Sequence, residues 1–76
     1  MAANYFFKGS SNKEVVFNRA INYLNISVSS GTTLSISTDG LNYMTLPVGF
    51  SNFPIGLTTK VYIAADGDWI LIGVQG

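Results

Sequence analysis

The chain contains no cysteine and no histidine. The first absence rules out a disulfide framework, and the two together remove the usual ligands of zinc sites. They also remove the base that most often activates a nucleophilic serine. Charge is almost as scarce. Only 11% of the residues are charged, against about 25% in an ordinary soluble domain, and four basic residues balance four acids to a net charge of zero. Lys8, Lys13, Arg19 and Lys60 are scattered, so no basic stripe offers itself to nucleic acid. Long apolar runs are missing too. The amino-terminal Tyr5-Phe6-Phe7 is stopped by Lys8, short of the roughly 7–15 residues of a signal-sequence core or the roughly 20 of a membrane span. The expectation is a chain made and folded in a cytosol, with no cofactor and no direct nucleic-acid or membrane partner.

What is present is a single small β domain, residues 1–76. At this length only roughly 60% of the unfolded surface can be buried, so a core alone gives marginal stability. With disulfides and zinc removed, association with other chains is the remaining support. Zero net charge favours it, since nothing in the overall balance keeps neighbours apart.

Strand patterning runs from end to end. In "NYLNISVSS" Leu24, Ile26 and Val28 alternate with Asn25, Ser27 and Ser29, and "TTLSISTDG" repeats the pattern with Leu34 and Ile36. A period of two is that of a half-buried strand, and Ser29-Ser30-Gly31 between the runs predicts a hairpin. "NYFFK" and "EVVFN" read as strands. The stretch "EVVFNRAINYL" also allows two helical turns, but its β-branched and asparagine content favours strand. Three adjacent bulky residues cannot all enter one core, so residues 1–13 are expected to form an extended arm or edge strand, with Tyr5, Phe6 and Phe7 on a partner. The whole describes an all-β fold, a small antiparallel β-sandwich or barrel of six to seven short strands.

Two Asp-Gly pairs punctuate the pattern. Asp39-Gly40 and Asp66-Gly67 each sit between alternating runs, which predicts hairpin turns, the first a two-residue turn with positive φ at its centre. Pro47 ends the strand after the first, because it lacks the amide proton of a continuing ladder. "VGFSNFPIG" reads as an irregular loop whose Phe50 and Phe53 either plug the end of the sandwich or face a partner. In "DGDWILIGVQG" Ile70, Ile72 and Val74 are assigned to the core, leaving Trp69 and Leu71 for a partner on the other face.

Chemistry finds little foothold. Asp39, Asp66 and Asp68 are accounted for by their turns, and no pairing suited to glycoside hydrolysis is marked. Asp66 and Asp68 flank Gly67, but two carboxylates fall well short of the six to eight oxygens that calcium takes. Trp69, Tyr43, Tyr62 and Phe53 could stack on a sugar; nucleic acid would need more cations beside them than Lys60.

"STDGLNY" is similar to the Asp-box of sialidases and other β-propellers, Ser-x-Asp-x-Gly-x-x-Trp, a structural hairpin motif. It lacks the residue between Asp and Gly and has Tyr43 in place of the tryptophan. The similarity implies a stable turn with an aromatic folded over it. Over its carboxy-terminal two thirds, with the "SISTDGLNYMTLPVG" and "VYIAADGDWILIGVQG" segments, the chain resembles small virion proteins of tailed bacteriophages. Capsid decoration or cement proteins come first, and neck and tail modules second. That resemblance implies a non-enzymatic protein, made in the host bacterial cytoplasm and located in the virion. It would bind the major capsid protein or another virion protein as a homo-oligomer or in many copies on a lattice. A small carbohydrate-binding module is the expectation from a different class.

Overall fold

The computed structural model describes residues 3–76, and these form an all-β fold. Six strands follow one another: β1 (Ala3–Gly9), β2 (Lys13–Val28), β3 (Leu34–Ser37), β4 (Met44–Leu46), β5 (Gly49–Ala65) and β6 (Trp69–Gln75). All pair antiparallel, in the order β1-β6-β2-β5-β3-β4. The "EVVFNRAINYL" segment is strand throughout, as its β-branched content favours.

Two of the strands are not short. β2 has 16 residues and β5 has 17, and they pair with each other along most of their length. The ladder is interrupted between Val16 and Ile21 and again between Ile21 and Tyr23. Burial on β2 shows what the interruption does: Val15, Phe17 and Ile21 are inward, both Asn22 and Tyr23 are outward, and inward burial resumes at Leu24, Ile26 and Val28. An extra outward residue resets the alternation, as a bulge does, and bends the strand. On one side of the bend β2 carries β6 and then β1; on the other, β5 carries β3 and then β4. The long ribbon therefore belongs to both halves of the sheet, and the buried side chains of both halves form one cluster between them.

Several predicted connections differ. β2 and β3 do not pair, so Ser29-Ser30-Gly31 is a crossing and not a hairpin turn. The segment "VGFSNFPIG" is not a loop: from Gly49 on it is the first part of β5, opposite β2. Tyr23 faces Pro54 across that ladder where it is already irregular, a place where a missing amide proton is tolerated. β5 and β6 do not pair either; both lie against β2, and Asp66-Gly67 joins strands on opposite sides of it. Local alternation specifies strands, but which strands become neighbours depends on where the long ribbon bends.

The predicted two-residue turn at Asp39-Gly40 is a longer loop, since the last pair of the β3–β4 ladder is Ile36 with Met44. The turn residues still build it. The Asp39 Oδ1 accepts the amides of Leu41 and Asn42, both at 2.8 Å, and the Ser37 hydroxyl at 2.8 Å, while Oδ2 accepts the Asn42 side-chain amide at 2.8 Å. The Ser37 Oγ in turn accepts the amide of Gly40 at 2.9 Å. Gly40 has a φ of 78°, and a Cβ there would lie 3.3 Å from the Tyr62 ring. The aromatic against this turn is thus Tyr62 of β5, and Tyr43, which the motif similarity implied, is exposed.

Candidate functional site

The register of the half containing β1, β6, β2 and β5 sorts its side chains into rows across the strands. Inward rows run Phe7, Leu71, Ile26 and Ser51, and Gly9, Trp69, Val28 and Gly49. The outward rows are Lys8, Ile70, Ser27 and Phe50; Phe6, Ile72, Asn25 and Asn52; and Asn4, Val74, Tyr23 and Pro54. Apolar groups dominate this outer face. Phe50 is 66% exposed, Phe6 60% and Ile70 42%, while Ile72 and Val74 are half-buried.

The outer face of the other half is of a different kind. Its pairs include Glu14 with Tyr62, Val16 with Lys60, and Ser35 with both Thr45 and Ala64. Lys60 Nζ lies 3.3 Å from Glu14 Oε2 and 5.8 Å from the centre of the Tyr62 ring. The Glu14 carboxylate raises the pKa of Lys60 by hydrogen bonding and then by its charge. Ser35 and Thr45 share a hydrogen bond of 2.8 Å. That half pairs polar groups but also exposes Val16, and Leu41, Met44 and Leu57 are exposed elsewhere; what sets the β1-β6-β2-β5 face apart is that Phe6, Ile70, Ile72 and Val74 lie side by side on adjacent strands.

The assignment of Trp69 and Leu71 to a partner is corrected. Trp69 is 1% exposed and Leu71 0%, so both lie in the core, while Ile70, Ile72 and Val74 face out. Trp69 can enter because its neighbour across the ladder is Gly9, which leaves room for the ring. The indole also donates to the carbonyl of Ser11 at 3.1 Å, satisfying its one polar atom. Tyr5 and Phe7 are also turned inward, with ring centres 6.1 and 5.5 Å from that of Phe17 and edge-to-face geometry. Of the three amino-terminal aromatics only Phe6 is on the outer face. Phe50 and Phe53 part company: Phe53 packs against the core and Phe50 is exposed. Sequence reasoning missed Tyr23, Ile70, Ile72 and Val74 as surface groups. The last three were placed on the wrong face of a strand apolar on both.

Glu14, Asp39 and Asp66 are engaged by neighbouring groups. The hydrogen bonds from Asn42, Leu41 and Ser37 hold the Asp39 carboxyl well below the usual carboxylate range. Asp66 Oδ1 accepts the amide of Thr33 at 2.7 Å, and Asp66 and Gly67 lie at the bend leading into β6. Among the described residues no group of three or more His, Cys, Asp and Glu side chains could hold a metal ion. Two shallow clefts are present. One of about 560 Å³ lies at the edge of the apolar face beside Lys8, Ser27, Asp68 and Ile70; the other, of about 400 Å³, lies between Met44, Asn42, Phe53 and Ile55.

No protein-family model and no curated protein matches the chain. A solved RmlC-like cupin protein from Desulfovibrio desulfuricans is similar in structure, with a TM-score of 0.58 and 21% identity, covering 97% of this chain and 71% of that one. At that identity the likeness speaks to the fold, an antiparallel β-sandwich or barrel.

Proposed function

We propose that this chain is a non-enzymatic structural protein of a bacteriophage virion, a capsid decoration or cement protein that seats on the major capsid protein and stabilises the shell. The observation that carries the reading is the run of adjacent apolar side chains, Phe6 on β1 beside Ile70, Ile72 and Val74 on β6, on the outer face that Phe50 of β5 shares. A chain with so little charge gains stability by covering such a face, and many copies on a lattice multiply a modest contact. The absence of a catalytic role is supported by the lack of histidine and cysteine and by acids already engaged at Asp39, Asp66 and Glu14. A neck, tail or fibre component would use the same face in a ring.

The test is add-back of the purified chain to particles lacking it. Occupancy should be distributed over the whole shell, and Ile70→Ser and Phe50→Ser should each reduce it on the order of tenfold, about 1.4 kcal/mol, without unfolding the chain. Density confined to one axial ring favours the neck or tail. A second reading has its own observation: on this face the Tyr23 hydroxyl donates to Asn52 Oδ1 at 3.3 Å, and Asn25 lies opposite Asn52. Tyr23 beside the Asn52 and Asn25 amides suits a glycan, and binding to immobilised glycans with no particle occupancy would replace the capsid reading.

A further inference from the structure

The two edges of the sheet are treated differently. β4, at one edge, is only three residues long and is followed at once by Pro47, and shortness and proline are both devices that discourage a strand from pairing further. β1, at the other edge, has seven residues, no proline and one charge, Lys8, near its end. Its outer backbone edge is unpaired among the described residues.

We propose that β1 pairs with β1 of a second copy, antiparallel about a two-fold axis through Phe6, joining two four-strand half-sheets into one continuous surface. Phe6 is the midpoint of Ala3–Gly9, so this register alone pairs every residue of the strand. It is also self-complementary. Lys8 falls opposite Asn4 of the second copy, so the only charge on the strand meets an amide and not its like. Tyr5 falls opposite Phe7 on the inward side, where each already packs on Phe17, and aromatic cross-strand pairs are favourable. On the outward side Phe6 meets Phe6, and the row Ile72 to Phe6 continues into the second copy. A zero net charge opposes none of this. Strand addition also satisfies the free amides and carbonyls of an edge, which the bare apolar face cannot do. The pairing refines the association proposed above, but it is tested on the isolated chain, so loss of capsid binding would leave it standing.

Sedimentation of the purified full chain should show a monomer and dimer in equilibrium. Phe6→Lys places two like charges across the axis and should shift the chain to monomer while its circular dichroism stays that of the folded parent, and its melting temperature should lose the concentration dependence that dimerisation gives the parent. The register is read by crosslinking, since there is no native cysteine. Opposed Cα atoms in an antiparallel pair lie about 4.5–5.5 Å apart, within disulfide reach. Phe6→Cys should therefore dimerise covalently by itself. Asn4→Cys and Lys8→Cys should crosslink to each other when mixed, on the order of tenfold faster than either alone, because like positions are then about 13 Å apart. A chain that stays monomeric at all concentrations, with no Phe6→Cys dimer, overturns the proposal. So does self-association that survives Phe6→Lys and is lost in Phe50→Lys, or efficient crosslinking of Asn4→Cys alone.

Discussion

The Trp69 ring lies on Gly9, so close that a Cβ at that glycine would stand 2.7 Å from its Cζ2 atom. This contact decides the face of β6 that enters the core. Trp69→Ala should cost on the order of 3–5 kcal/mol, enough to unfold a domain of this size, as is typical for an aromatic core truncation. Gly9→Ala should cost about 1–3 kcal/mol by overpacking. Chemical denaturation followed by tryptophan fluorescence measures the second variant and circular dichroism the first. A folded Trp69→Ala chain of unchanged stability would return Trp69 to the surface.

Phe17 and Gly73 make a second pair of this kind. A Cβ on Gly73 would meet the Phe17 ring, in an inward row where Tyr5 stands on one side and Leu24 on the other. Gly73→Ala is expected to destabilise, and Phe17→Leu to relieve part of the damage. A double-mutant cycle should show coupling of about 0.5–3 kcal/mol, and strict additivity would show that the two residues do not share the space.

Gly40 combines a positive φ of 78° with a neighbour 3.3 Å from where its Cβ would be. Gly40→Ala should cost on the order of 1–2 kcal/mol for the left-handed backbone alone. Gly56 is the control, since nothing lies within reach of a Cβ there; Gly56→Ala should remain within about 0.5 kcal/mol of the parent. Equal melting temperatures for the two variants would show that the Asp39-Gly40 loop is free to adopt another conformation.

Asp39 supplies the pH dependence. Its folded-state pKa is depressed by hydrogen bonds from the Asn42 amide groups, the Leu41 amide and the Ser37 hydroxyl. Its stabilising contribution is therefore fully present above the unfolded-state pKa of about 3.9 and is lost as the pH falls from there through the lower folded-state value. Melting temperature should decline with acid below about pH 4. Asp39→Asn should melt lower at neutral pH and flatten that acid limb. A limb as steep in the variant as in the parent would assign the acid response to other groups.

The period-two runs, the scarcity of helix formers and the Asp-Gly and proline punctuation determined by themselves that this chain is all-β, and they placed strands correctly at Leu24 to Val28, at Leu34 and Ile36, and up to Pro47. These are local properties, readable because a strand sends successive side chains to opposite faces. They could not say that β2 would lie between β5 and β6, since pairing depends on the bend at Asn22 and Tyr23 and on contacts remote in sequence. Nor could they choose a face for "WILIGV", where every position but the glycine is apolar and alternation carries no sign. The choice was made by Gly9, distant in the chain but opposite in the ladder, because only a residue without a side chain leaves room for an indole, and the isoleucines were left outside as a consequence.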